Sequence, residues 1–118
     1  MSSPTTSEDC LFCKIVAGDI PGDVVLSNDD VVGFRDVNPV APTHVLVVPR
    51  RHAANAAATA ADDPALLGAL VSAAAEVAGA AGLDDYRLVL NTGAGAGQSV
   101  FHTHLHVLGG RAMTWPPG

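Results

Sequence analysis

Apolar positions follow two spacings along the chain, one typical of strands and one typical of helices. Alternating or continuous apolar runs predict five strands, at residues 24–27, 31–35, 44–48, 86–91 and 99–108. A spacing of three and four residues predicts one long helix, which begins near Asp63 and Pro64 and ends at Gly82. Strand hairpins joined to one crossing helix predict an α+β fold with a mainly antiparallel five-stranded sheet.

The segments outside this pattern differ in composition. Residues 1–8 are rich in Ser, Thr and Pro with little to bury, so we expect a disordered tail. A short N-terminal helix is predicted from Asp9 to Gly18, whereas residues 53–61 are interpreted as an alanine-rich connection. Because no linker or repeat divides the remainder, residues 9–118 are expected to form a single domain.

Composition and charge exclude several function classes. A formal net charge of -6 disfavours nucleic-acid polymers, whose binding requires a basic surface, but it does not exclude a single nucleotide. There is no apolar run of membrane-spanning length and no signal-peptide pattern, so we expect a cytoplasmic protein without a membrane partner. Cys10 and Cys13 are too few for a disulfide framework, and a C-x-x-C pair in a reducing compartment indicates metal or redox chemistry.

Three of the five histidines alternate near the C-terminus, at His102, His104 and His106. On a strand they would share one face, with neighbouring imidazoles about 6.6 Å apart. Each neutral imidazole carries one donor and one acceptor, so a row of three is a poor filling for an apolar layer. A metal site or a nucleophile with its proton donor explains the spacing better than histidines in purely structural positions.

A glycine-rich loop, Gly93-Ala94-Gly95-Ala96-Gly97, precedes this row. A dinucleotide fingerprint requires a helix after such a loop, and here a strand is predicted instead. The remaining interpretations are a loop whose backbone N–H groups approach a phosphate and a plain flexible hairpin loop.

The motif His102-Thr103-His104-Leu105-His106-Val107-Leu108 resembles the His-x-His-x-His-x-x signature of the histidine triad superfamily of nucleotide hydrolases and transferases. The likeness extends to Pro42-Thr43-His44 and Gly97-Gln98-Ser99-Val100. The closing Trp115-Pro116-Pro117-Gly118 is similar to the branch of purine nucleoside phosphoramidases rather than to the dinucleoside polyphosphate hydrolases. The resemblance implies the fold of that superfamily.

The resemblance also implies catalytic roles. His104 would be the nucleophile that attacks the α-phosphorus and forms a nucleotidylated histidine. A neutral imidazole can attack when an acceptor such as a backbone carbonyl holds the proton of its other nitrogen. His106 would hold the phosphate and help to pass a proton to the leaving amine. His44 would support the site from a neighbouring strand, and the alternative is a buried structural histidine.

The same resemblance implies the nucleotide contacts. Asp36 would accept hydrogen bonds from the ribose hydroxyls. The expected phosphate contacts, besides His104 and His106, are Asn91, Gly97, Gln98 and Ser99. The expected base-pocket residues are Phe12, Ile15, Phe34, Val37 and Leu46, with ordinary core as the alternative and the preferred interpretation for Leu46. Such an apolar pocket would accept adenine or guanine without strong discrimination.

Two features depart from the usual pattern of this superfamily, and the second of them, a cysteine pair, is absent from its best-known animal phosphoramidases. Thr103 occupies a spacer position that is usually hydrophobic. Cys10 and Cys13 resemble half of a zinc site in bacterial members, which His52 and His102 would complete. A closed Cys2His2 set suits a structural zinc ion and leaves no open position for catalysis. No organic cofactor is expected.

The sequence therefore predicts a homodimeric histidine triad hydrolase. It would cleave P–N bonds of nucleoside 5′-phosphoramidates and of acyl or aminoacyl nucleotides and release a nucleoside monophosphate. Small residues on the long helix favour the dimer, and the resemblance places that helix and the segment containing Trp115 at the interface. The alternatives are a dinucleoside polyphosphate hydrolase or nucleotidyl transferase, a nucleotide-binding scaffold without turnover, and a metal-buffering protein.

Overall fold

A computed structural model describes residues 9–118, so the predicted disorder of residues 1–8 lies outside the described residues. The helices are α1 (Leu11–Ala17), α2 (Ala56–Asp62) and α3 (Pro64–Ala80), and a 3₁₀ turn spans Ala94–Ala96. The strands are β1 (Val24–Ser27), β2 (Val31–Arg35), β3 (Thr43–Pro49), β4 (Tyr86–Val89) and β5 (Leu105–Gly109). The predicted fold class is confirmed, because these strands form one five-stranded antiparallel sheet with helices around it.

The sheet has the strand order β1-β2-β3-β5-β4, with β3 at its centre. The register places Leu46 of β3 opposite Phe34 of β2 and opposite His106 of β5. Since residues that lie opposite each other point to the same face of a sheet, these three side chains stand in one row. The row crosses three strands and leads from a histidine of the triad to an aromatic side chain.

The two faces of the sheet are covered differently. Helix α3 packs its buried side chains, among them Leu70, Ala74 and Val77, against one face and forms the larger core with β2, β3 and β5. On the opposite face α1 brings Phe12 and Cys13 against β2 and β3. Because α1 has only two turns, it covers part of that face and leaves the row of Phe34, Leu46 and His106 beside an open cavity.

Local capping explains where the short helices begin and end. Cys10 is the N-cap of α1, and its Sγ accepts a hydrogen bond from the N–H of Cys13 at 3.3 Å. Gly18 ends the helix at φ +82°, a conformation that glycine adopts without the steric cost of a Cβ. These caps hold both cysteines at the start of α1 and point them toward the sheet.

One helix was missed and two predicted strand boundaries were wrong. Residues 56–62 form α2, because Asn55 caps the segment with a 2.9 Å bond to the N–H of Ala58 and alanine has the highest helix propensity. Strand β5 begins at Leu105 and not at residue 99, since the N–H of Thr103 donates to the carbonyl of Ala53 in a loop, at 2.9 Å. Strand β4 ends at Val89. Within residues 9–118, no helix has the length and apolarity needed to cross a membrane.

Candidate functional site

The candidate site is the cavity beside α1, with a volume of about 890 Å³, within the range of small-molecule pockets. Nine of the residues expected at the site line it: Phe12, Ile15, Phe34, Asp36, Val37, Leu46, Ser99, His104 and His106. Leu46 packs with the α1 core as well, so it serves both the core and the wall. The cavity therefore has an apolar end between α1 and β2 and a polar end at the histidines.

His104 is buried, and one of its ring nitrogens is held by the backbone. Its Nδ1 lies 2.7 Å from the carbonyl oxygen of His102. A carbonyl oxygen only accepts, so Nδ1 carries the proton and donates it. In the neutral ring Nε2 is then left with a lone pair, as a nucleophilic imidazole requires. The ring of Phe12 packs against the imidazole in an edge-to-face arrangement, with 5.0 Å between the ring centroids.

His106 is linked to His44, and the direction of this link follows from a backbone donor. The N–H of Val40 donates to Nδ1 of His44 at 3.1 Å, so the hydrogen of neutral His44 is on Nε2. Nε2 of His44 lies 2.9 Å from Nδ1 of His106 and donates to it. The hydrogen of neutral His106 is therefore on Nε2, which makes this nitrogen a hydrogen-bond donor.

Burial keeps both rings of this pair neutral. It lowers the pKa of His106 to about 4, with further lowering by the neighbouring His104 and His44, while Asp36 opposes the shift. Burial also lowers the pKa of His44, again opposed by Asp36. At neutral pH the tautomers follow from hydrogen bonding alone, because neither ring carries a second proton.

Asp36 lies at the end of β2, where one carboxylate oxygen accepts the N–H of Asn38 at 2.8 Å. The other oxygen is 3.4 Å from Nε2 of His44. Asp36, His44 and His106 are close enough together to be considered as metal ligands. However, Nε2 of His44 carries the hydrogen of the ring, because Nδ1 accepts from the N–H of Val40. To bind a metal, Nε2 would have to lose that hydrogen, and the ring would become an imidazolate. The three residues are better described as a hydrogen-bonded relay.

The glycine loop is held by Gln98, whose side chain is almost fully buried. Its Oε1 accepts from the N–H of Gly93 at 2.9 Å, and its Nε2 donates to the carbonyl of Ala54 at 2.6 Å. The side-chain amide of Gln98, which we expected to contact phosphate, therefore holds the loop instead. Asn91 and Gly97 adjoin each other outside the cavity lining, and a Cβ on Gly97 would lie 3.7 Å from Nδ2 of Asn91. Only Ser99 of the four expected loop contacts lines the cavity.

Cys10, Cys13, His52 and His102 form a second cluster, next to the cavity. Nε2 of His102 lies 2.8 Å from the carbonyl oxygen of Pro49 and donates to it, so the lone pair is on Nδ1. That Nδ1 is 3.4 Å from each cysteine sulfur and 3.2 Å from Nδ1 of His52. Burial lowers the pKa of His102 to about 4, which keeps this nitrogen free of a proton.

The geometry of this cluster fits a tetrahedral zinc ion. Usual Zn–N and Zn–S lengths would separate two ligand nitrogens by about 3.3 Å and a nitrogen from a sulfur by about 3.6 Å. The distances from Nδ1 of His102 are within a few tenths of an ångström of these values, and Sγ of Cys13 is 3.3 Å from Nδ1 of His52. All four ligand atoms lie within 4.8 Å of one another. The structure therefore brings together the complete set of expected metal ligands.

The family model of the HIT domain matches residues 17–113. The chain belongs to the HIT family. A HIT-like protein of Synechocystis sp. is 49% identical over 113 residues, covering 95% of this chain and 99% of the relative. Two solved HIT family hydrolases superpose with a TM-score of 0.89. The one from Legionella pneumophila is 49% identical and covers 93% of this chain and 100% of its own. The one from Clostridium thermocellum is 40% identical, with coverages of 92% and 96%.

Membership of the HIT family supports a hydrolase at the general level. It also explains why the triad motif is the most informative stretch of the sequence. The HIT motif alone does not reveal the contributions of Val40 and Gln98. Val40 acts through its backbone N–H, which no residue type identifies, and the contact between Gln98 and Ala54 joins positions 44 residues apart.

The lowered pKa of His106 predicts how stability depends on pH. Unfolded His106 takes up a proton near pH 6.5, whereas the folded residue resists it down to about 4. The groups that face it are His104 before β5, His44 on β3 and Asp36 after β2. The unfolded state thus binds more protons in this window, and the free energy of unfolding should fall as the pH decreases through it.

The variant His106→Asn tests this directly. Its free energy of unfolding, measured with urea between about pH 7 and about pH 4.5, should depend less on pH than that of the parent, by at most about 1.4 kcal/mol per pH unit. A partly exposed ring will show less than this limit. Equal slopes for the two proteins would show that folding does not lower this pKa.

Proposed function

We propose that this protein hydrolyses the P–N bond of nucleoside 5′-phosphoramidates, and of related acyl or aminoacyl nucleotides, and releases a nucleoside monophosphate. The observation that carries the proposal is the 2.7 Å bond from Nδ1 of His104 to the carbonyl of His102, which leaves Nε2 as a nucleophile. His104 lines the same cavity as the N–H donor His106. Family membership supports hydrolysis, and the preference for P–N bonds is our proposal.

The sheet register supports a nucleotide lying across the strands. His106, Leu46 and Phe34 lie opposite one another on three adjacent strands, so about 10 Å separates the histidine from the aromatic ring. This length suits a phosphate at the histidines and a purine base against Phe34, Phe12 and Ile15. Asp36 lies two residues after Phe34 and lines the cavity, and its carboxylate is within 4.8 Å of a ring nitrogen of His106, where it can accept from the ribose hydroxyls.

In the first step Nε2 of His104 attacks the α-phosphorus, a P–Nε2 bond forms, and the P–N bond to the leaving group breaks. The Nε2–H of His106 donates to the leaving nitrogen. If neutral His106 gave up this proton outright it would become an anion, so a water molecule supplies the proton that the amine carries away and is left as hydroxide. In the second step this hydroxide attacks the phosphorus, the P–Nε2 bond breaks so that His104 returns to its neutral form, and the nucleoside monophosphate is released.

The variant His104→Asn should lose at least about a thousand-fold in kcat on an adenosine phosphoramidate, since it lacks the nucleophile. Mass spectrometry should show a nucleotidyl adduct on the parent protein and none on the variant. Binding of adenosine monophosphate, measured by calorimetry, should persist in the variant and serves as the control for folding.

Undiminished turnover by His104→Asn would refute the mechanism. Faster cleavage of a diadenosine polyphosphate than of the phosphoramidate by the parent protein would favour the dinucleoside polyphosphate hydrolase. Binding of the monophosphate without turnover of either substrate would favour a nucleotide-binding scaffold.

We also propose a structural zinc ion held by Cys10, Cys13, His52 and His102. The observations that support it are the near-tetrahedral distances and the lone pair of His102 that faces the sulfurs. With four protein ligands the ion would join α1 to the loop after β3 and to the segment before β5. Cysteines that bind a metal have to stay reduced, which suits a reducing compartment, so the cytoplasmic location stays our prediction.

The purified protein should contain about one zinc ion per chain, measured by atomic emission. The double variant Cys10→Ser and Cys13→Ser should lose it and should unfold at a lower temperature, because zinc binding stabilises only the folded state. His44→Asn is the matched control, since it removes a histidine from the relay and should leave the zinc content unchanged. Equal zinc in the double variant would place the ion elsewhere.

A homodimer is the third part of the proposal. Strand β4 is an edge of the sheet, so one side of its backbone has no neighbouring strand within residues 9–118. Tyr86 on β4 and Leu90 just after it are exposed, and Val71 is exposed on α3, the helix that the resemblance places at the interface. A second copy that pairs with this edge would cover the backbone groups of β4 together with Tyr86 and Leu90, and contact through α3 would cover Val71.

Light scattering at micromolar concentration should give the mass of two chains. The substitution Val71→Glu should shift the protein toward the monomer, because it places a charge in the proposed interface. Val24→Glu is the control, since Val24 has similar exposure on the opposite edge strand β1. A monomeric parent protein would contradict the dimer.

A further inference from the structure

The geometry points to Arg111 as a positioning residue that sets the direction of the hydrogen bond between His44 and His106. This inference rests on the proposed function, in which His106 donates to the leaving nitrogen. Arg111 lies two residues after β5, and its Nε donates to the carbonyl of Val40 at 2.9 Å. The N–H of Val40 donates to His44, and His44 contacts His106.

The direction of this chain decides whether His106 can act as a donor. Two neutral imidazoles can share one hydrogen in either of two ways. If His44 carries its hydrogen on Nε2, then Nδ1 of His106 accepts and Nε2–H of His106 faces the substrate as a donor. If His44 carries its hydrogen on Nδ1, the bond is reversed and Nε2 of His106 has only a lone pair. The N–H of Val40 selects the first arrangement.

The orientation of Val40 depends on the segment after β5. Val40 is exposed in the loop between β2 and β3, so the strand ladder does not hold it. Arg111 bonds its carbonyl, and Gly110 lies directly against the same loop at φ +90°, where a Cβ would come within 2.9 Å of Cβ of Pro42. These two contacts press the C-terminal segment onto the loop and aim the N–H of Val40 at His44.

The expected loss of kcat without Arg111 is small, because Arg111 is exposed and because Asp36 favours the same hydrogen-bond direction. Arg111 is exposed, so its bond to the carbonyl is moderate in strength. The carboxylate of Asp36, 3.4 Å from Nε2 of His44, favours the same arrangement and would remain. Removing the guanidinium should therefore lower kcat by about three- to ten-fold, a partial loss of donor catalysis. KM should stay within about two-fold, since neither Arg111 nor Val40 lines the cavity.

The test compares Arg111→Gln with the parent protein by two readouts. The first is kcat and KM on an adenosine phosphoramidate. The second is nitrogen-15 NMR of the imidazoles in the resting protein, which reports which nitrogen of His44 and of His106 carries the hydrogen. Arg111→Gln should show the reversed tautomers partly populated, and Arg111→Lys should restore part of kcat because an ammonium can still donate to the carbonyl.

Arg50→Gln is the matched control. Arg50 is another arginine whose Nε donates to a backbone carbonyl, that of Asn28 at 2.7 Å, in the turn between β1 and β2. Arg50→Gln should leave both the kinetics and the tautomers unchanged.

Unchanged tautomers in Arg111→Gln overturn the inference, whether or not kcat falls. If Arg111→Gln does not fold, the same two readouts are compared between Arg111→Lys and the parent protein. If the parent protein does not hydrolyse phosphoramidates, the proposed function fails, and the NMR comparison still decides the role of Arg111.

Discussion

The hydrogen bond from Nε2 of His102 to the carbonyl of Pro49 is the interaction on which the rest of the site depends. It is fully buried at the end of the central strand, and it fixes the lone pair of His102 on Nδ1, toward the two cysteines. The backbone carbonyl of His102 accepts from Nδ1 of His104. His102 therefore connects the cysteine cluster to the geometry of His104, and a shift of His102 would disturb both.

The tautomers of His44, His104 and His106 are assigned from backbone groups. The carbonyl of His102 assigns His104, and the N–H of Val40 assigns His44 and through it His106. Burial keeps His106 neutral, so that a single hydrogen per ring makes these assignments unambiguous. A rigid backbone is suited to this role because it costs little reorganisation when charge develops during the reaction.

Much of the fold and the identity of the site could be predicted from the sequence, because both depend on local pattern. The apolar spacing of α3 follows from the one face that it buries, the continuous apolar run of β3 follows from burial on both faces, and the triad motif is contiguous. Helix α2 has no apolar stripe, since its alanines are uniform, and only the cap Asn55 indicates where it begins. The use of Gln98 as a loop support depends on residue Ala54 far away in the chain, which no local pattern reveals.

Strand β5 begins only at Leu105, after the first two histidines of the alternating pattern, and this late start has a physical reason. Inside a sheet, the carbonyl of His102 would point at a neighbouring strand rather than at the ring of His104. Residues before Leu105 instead leave the ladder, with the N–H of Thr103 bonded to Ala53 and its hydroxyl 2.7 Å from that of Thr59 on α2. These contacts hold the segment in place of a neighbouring strand and leave the carbonyl of His102 available. Thr103, the polar residue at this spacer position, thus helps to hold the backbone that orients His104.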